Sequence, residues 1–196
     1  GTMLAMLAPQ GSFFLRPAIF TYFFVVIFLH IILSFQLGER FKLAFVSAII
    51  AQIVWINLHG GGVIGIILIF FWWLSEVWFC LVTWVNENPT APSFERLKWS
   101  SLILICIALA SLVNPFTYQI HLLPLKVMGD DWLVRNLGEL QPPNLHYRNA
   151  FEAIILGLLL LPMMRAGSIW IYEGLAIVFF AHQALNHERH IALFAL

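Results

Sequence analysis

Three stretches of the sequence gather side chains able to do chemistry. The segment Asn57-Leu58-His59-Gly60-Gly61-Gly62-Val63-Ile64-Gly65 sets consecutive backbone N–H groups beside an imidazole at the start of an apolar run. Glycine admits a ligand close to the backbone and a helix start carries partial positive charge, so a phosphate or carboxylate could sit there. Gly61 and Gly65 also stand at small-xxx-small spacing, which by itself serves close helix packing. Near the other end, His182-Gln183-Ala184-Leu185-Asn186-His187-Glu188-Arg189-His190 puts His182, Asn186 and Arg189 on one helical face and His187 with His190 on a second. His182, His187 and His190 with Glu188 could ligate zinc or another divalent metal, although the order lacks the protease spacing of histidines at i and i+4. Arg189 among imidazoles could instead clamp a phosphate or pyrophosphate. A solvated helix end at an interface is the third reading.

The third stretch is a polar loop over 129–149 with Asp130, Asp131, Glu139 and Gln141-Pro142-Pro143, where an acid could act as general base or hold a metal-bound diphosphate. Three polar residues fall inside apolar runs, His30, Gln52 and Glu76, and an ionisable group within a membrane is a functional candidate by default. His30 and His182 could hold a haem between helices. Apart from a haem or a divalent metal, the residues point to no cofactor. The sequence has no nucleophile elbow, phosphate loop or dinucleotide fingerprint. It also lacks the internal repeat on which inverted-repeat transporters are built.

The elements that must position these groups are membrane helices. Of 196 residues, 61% are hydrophobic and 10% charged, with ten Lys and Arg against ten Asp and Glu. A soluble domain carries about 25% charged residues, so too little polar surface exists here to cover a globule in water. The expected fold is all-α, a polytopic transmembrane bundle forming one domain over 1–196, with spans at 17–35, 43–58, 63–85, 99–113, 150–164 and 168–185. Pro17 suits a first helical turn, Pro115 stops the fourth span, and 116–128 reads as an amphipathic helix lying in the interface. The segment 86–98 reads as a polar loop. Arg40, Lys42, Arg96, Lys98 and Arg165 fall in short connections, which places those loops in the cytoplasm and the glycine turn, Asn114, the long loop and the histidine cluster outside. Zero net charge and the lack of a basic run exclude a nucleic-acid partner. Cys80 and Cys106 lie in apolar runs and read as small buried hydrophobes.

Five short blocks occur in order: Leu15-Arg16-Pro17, Trp55-Ile56-Asn57-Leu58-His59-Gly60-Gly61, Val113-Asn114-Pro115-Phe116, Glu139-Leu140-Gln141-Pro142-Pro143, and His187-Glu188-Arg189-His190-Ile191-Ala192-Leu193-Phe194-Ala195. In them the chain resembles the central part of a family of large bacterial polytopic membrane proteins similar to C-type glycosyltransferases, the relatives of protein mannosyltransferases and oligosaccharyltransferases. The resemblance implies an enzyme of the bacterial inner membrane that takes a sugar from a polyprenyl-phosphate donor on the extracytoplasmic side. It implies His59, Gly60, Gly61, Gly62, Asn114, Glu139 and Arg189 as contacts to the donor phosphate or the acceptor. In such transferases the acidic base sits in a large loop after the first span, and the sequence is expected to begin downstream of it, as a piece of a longer protein. Membrane lipids and a lipid-linked sugar are the implied partners. Two other readings stand beside this one: a non-catalytic membrane subunit packing against a protein partner, and a metal- or haem-binding membrane protein.

Overall fold

Apolar side chains cover every side of the first helices, so hydrophobic periodicity alone does not decide which face turns inward. The computed structural model, which describes residues 18–38, 41–85, 91–142, 155, 171–187 and 190–191, shows that size decides it. Helix α2, Phe41–Leu58, buries Ala44, Ala48 and Ala51 and turns Leu43, Val46, Ile50 and Val54 outward, Ile50 being 56% exposed. A helix in water does the reverse. Small residues inside let backbones approach, and large aliphatic residues outside suit a hydrocarbon solvent. Helix α1, Ala18–Gln36, buries Phe24, Phe28, Ile32 and Phe35 on one stripe while Phe23, Val26 and Leu33 face out. Leaving such side chains in water would forgo about 1.5–3 kcal/mol each relative to burial.

Two stretches are long and apolar enough to cross a membrane, Ile19–Gln36 and Gly60–Val85, while the apolar part of α2, Lys42–Leu58, is shorter. They belong to a unit within residues 17–123 formed by α1, α2, α3 (Val63–Val85) and α4 (Ala91–Ala110). Helix α1 packs on α2 and α3, and α4 packs on the same two. Aromatic contacts seal the interior: Trp55 stacks on Phe24 at 5.3 Å between centroids, and Trp72 lies 5.2 Å from Phe35. Pairing of Trp73 with Ser101 and of Glu76 with Arg96 shows α3 and α4 to be antiparallel.

Helix α4 starts at Ala91, within the expected polar loop 86–98, and ends at Ala110, short of the expected 113. The reason is the partner of Arg96. Its Nε lies 3.3 Å from Glu76 Oε2, the Glu76 side chain being almost wholly buried, and its guanidinium sits 5.1 Å above the Phe79 ring. Trp72 Nε1 donates to the other carboxylate oxygen at 3.1 Å. The contact between Arg96 Nε and Oε2 lacks hydrogen-bond geometry, so charge attraction rather than a bidentate fork holds the pair. Winding 91–98 into the helix carries Arg96 to that carboxylate.

The second unit lies within 124–196 and is described by itself. Helix α5, Gln119–Met128, begins in the first unit and enters the second at Pro124; it is shorter than the expected interfacial helix, because residues 115–118 form turns. The loop expected over 129–149 holds a short helix α6, Asp131–Asn136, followed by a 3-10 turn at Gly138–Leu140. Asp130 explains α6: its Oδ1 accepts from the Trp132 and Leu133 N–H groups at 3.0 and 3.1 Å, the N-cap bond pattern. Helix α7, Ile171–Asn186, matches most of the expected span 168–185. The expected span 150–164 lies outside the described residues except for Ile155, which packs against Ala184 and Ile191. Among the described residues every regular element is helical.

Breaking a buried ion pair from one side leaves an uncompensated charge, at a typical cost of about 3–5 kcal/mol. Glu76→Leu is therefore expected to lower the thermal unfolding midpoint of the detergent-solubilised protein sharply. The double variant Glu76→Leu with Arg96→Met should recover most of that loss. A single variant as stable as the parent would show that the pair contributes nothing.

Candidate functional site

The polar groups singled out from the sequence settle at two places, one in each unit. In the first, the start of α1, the turn between α2 and α3 and the segment after α4 come together. His59 caps the 3-10 turn Gly60–Gly62: its Nδ1 accepts from the Gly61 N–H at 3.0 Å and lies 2.9 Å from Thr21 Oγ1. A backbone N–H can only donate, so Nδ1 is unprotonated and the proton of the ring sits on Nε2. Asn57 Nδ2 donates to the Val113 carbonyl at 2.7 Å, joining the end of α2 to the chain just beyond α4. Ser111 gives its hydroxyl proton to the Ala108 carbonyl at 2.6 Å, so the 3.1 Å contact with His121 Nε2 has the imidazole as donor.

This end of the unit is closed on itself. The Gly62 N–H donates to the His59 carbonyl at 3.2 Å, and the Gly62 carbonyl accepts from buried Gln52 Nε2 at 3.0 Å. A Cβ on Gly62 would come within 2.8 Å of Ile56 Cδ1 and 3.0 Å of its Cα, and one on Gly65 within 2.7 Å of Gln52 Oε1. Asn114 is equally committed: Nδ2 donates to the Ser111 and Thr117 carbonyls at 2.7 and 3.1 Å, and Oδ1 accepts from the Phe116 N–H at 2.8 Å. That network holds Thr117 at a φ of 49°, a region a β-branched residue rarely adopts. The N–H groups of Gly61 and Gly62 and the Asn114 amide, expected as phosphate contacts, thus all have partners within the fold.

The second place is an open cleft of about 520 Å³ in the unit within 124–196. Gln141 and Pro142 form one wall, and His182, Gln183, Asn186 and His187 of α7 and its end form the other. Val134 and Leu140 complete the lining. Its central bond runs from His187 Nδ1 to the Leu140 carbonyl at 2.7 Å, across 47 positions of sequence. A carbonyl can only accept, so Nδ1 carries the proton and, in the neutral ring, Nε2 keeps its lone pair. Gln141 Nε2 donates to the Val134 carbonyl at 2.6 Å, and Asn186 Nδ2 to the His182 carbonyl at 2.8 Å.

Glu139 lies in the 3-10 turn Gly138–Leu140, and Arg189 and Glu188 fall outside the described residues. His190 packs its ring on His187 with centroids 5.7 Å apart. Among the described residues no three His, Cys, Asp or Glu side chains gather closely enough to hold a metal ion. His30 is exposed on α1, whereas Gln52 and Glu76 are buried. Sequence reasoning passed over Thr21, Ser111 and Gln183. Only Gln183 carried a signal, one position from His182 on a helix already singled out. No known protein family, curated protein or solved structure matches the chain.

Gly62→Ala must push against the α2 backbone and is expected to destabilise the protein by about 1–3 kcal/mol, the usual penalty of overpacking. Gly60→Ala meets only Leu123 at 3.6 Å and Gly138→Ala nothing within 4 Å, so both should leave the unfolding midpoint nearly unchanged. Equal losses in all three would show that the turn is not set by close approach.

Proposed function

We propose that the chain is the membrane-embedded part of a glycosyltransferase-like protein of the bacterial inner membrane. It takes a sugar from a polyprenyl-phosphate carrier on the extracytoplasmic face, and it crosses the bilayer six times, through α1 to α4, the segment 150–164 and α7. The observation that carries this reading is the bond from His187 to the Leu140 carbonyl, which joins the block containing Gln141 and Pro142 to the block containing His187 and His190. These two blocks carry the family resemblance and meet in a cleft of ligand size. The large apolar side chains on the outer faces of α1 and α2 suit hydrocarbon and a polyprenyl tail alike.

The same structure favours a second reading at the glycine turn, a non-catalytic membrane subunit, because close approach at Gly62 and Gly65 accounts for those glycines without a ligand. Retention of carrier lipid separates the two. Reconstituted in nanodiscs, the protein should retain a polyprenyl phosphohexose at least about tenfold better than the matching polyprenol, a difference of about 1.4 kcal/mol. Equal retention would leave only the subunit reading. For the orientation, Gly138→Cys in a background with Cys80 and Cys106 changed to Ala should react with an impermeant maleimide added outside intact spheroplasts. Reaction only after permeabilisation would reverse the assigned face.

A further inference from the structure

Helix α1 carries a histidine on its outer face. Ile19, Phe23, Val26, His30, Leu33 and Leu37 are all exposed and follow one another at alternating steps of four and three residues. The Leu37 N–H donates to the Leu33 carbonyl at 2.9 Å, so the helical turn carries this stripe one residue past Gln36. The spacing is the seven-residue repeat of a helix seam, with Phe23, His30 and Leu37 at the a positions and Ile19, Val26 and Leu33 at the d positions.

His30 lies inside the apolar stretch Ile19–Gln36, six residues and about 9 Å before the end of α1. Ser34, the nearest polar side chain along the helix, gives its hydroxyl hydrogen to the His30 backbone carbonyl at 3.0 Å. Ionisable side chains within spanning helices almost always face protein rather than lipid, because hydrocarbon offers no partner to a donor or an acceptor. The outer faces of α2 and α4 show what lipid alone selects: the exposed residues from Leu43 to Val54 and from Leu102 to Leu109 are all aliphatic. The face of α1 is the one suited to protein.

We propose that its occupant is a second copy of this chain, packed on α1 parallel to it, with the two His30 rings hydrogen-bonded to each other. A neutral imidazole has one donor and one acceptor, so one ring gives its N–H to the lone pair of the other. Copies inserted the same way in a bilayer meet with α1 parallel, and across a two-fold axis each a residue then faces itself at the same depth. A different protein would need a polar group placed at that depth, whereas a second copy supplies one automatically. A single polar residue at an a position also fixes register and oligomer state. This pairing rests on the proposed crossing of the bilayer by α1, and not on the sugar chemistry.

The test uses the full chain in cell membranes, with Cys80 and Cys106 changed to Ala and copper phenanthroline as the oxidant. Val26→Cys and Leu33→Cys at the seam should each give a disulfide-linked band of twice the chain's mass, while Ile50→Cys on the outer face of α2 should not. In vesicles, energy transfer between labelled copies should show that His30→Leu weakens association about fivefold, the size expected for one hydrogen bond between membrane helices. His30→Asn, which again has a donor and an acceptor, should restore association to near that of the parent. Absence of a dimer band at both seam positions overturns the proposal, as does an equal band from Ile50→Cys. A band of any other mass assigns the face to a different protein, and equal association of the parent and His30→Leu removes the imidazole pair, so either result also overturns it. A bimane on Leu29→Cys separates these failures from failure of the membrane reading. Quenching by phospholipid brominated on its acyl chains with no dimer band rejects the second copy alone, whereas no quenching rejects the crossing of α1 and the pairing with it.

Discussion

The bond from the Gly61 N–H to His59 Nδ1 orders the first unit. It closes a three-residue turn tight enough for α3 to start directly after α2, and it fixes the imidazole in one tautomer against Thr21 at the start of α1. With the turn this tight, Ile56 and Gln52 sit against Gly62 and Gly65 at distances no side chain could share. The aromatic interior then follows, since Trp55 lies one position before Ile56 and stacks on Phe24 of α1. A turn of this kind works only with glycine at its close contacts, which is a packing reason for residues that in sequence also resemble an anion cradle.

The Glu76 and Arg96 pair makes the complementary point about α4. Charged side chains at a helix start normally read as the edge of a loop, and Glu95, Arg96 and Lys98 did so in sequence. Burial of Glu76 changes the balance, because an unpaired carboxylate there would cost several kcal/mol and a helical turn brings a guanidinium to it. Trp72 supplies a hydrogen bond to the carboxylate and Phe79 a ring face to the guanidinium.

Long apolar runs were the legible part of the fold. The expected 17–35, 43–58 and 63–85 differ from α1, α2 and α3 by no more than two residues at either end, because proline, glycine and charged residues mark those ends clearly. Helix α6 was missed although Asp130 stands one residue before it, since an N-cap signature carries little weight when only six residues follow. The candidate site was legible in its parts and not in its assembly. His182, His187 and Asn186 could be placed on a helix end, and Gln141 in a block. The group that unites them is the Leu140 carbonyl, and a backbone carbonyl leaves no trace in residue identity. The same holds for Val113, whose carbonyl ties Asn57 to the segment after α4.

The two polar regions differ in where their hydrogen bonds end, and that difference separates architecture from chemistry. Around His59 and Asn114 the donors of the turn close onto acceptors of the same turn, and Asn114 uses both amide hydrogens and its oxygen within four residues. Such a network lowers the energy of one backbone shape and leaves little to offer a ligand. In the cleft, Gln141, Asn186 and His187 give their donors to the backbone carbonyls of Val134, His182 and Leu140. Anchoring of this kind orients Gln141, Asn186 and His187 through their donors, without engaging their acceptors in the same bond.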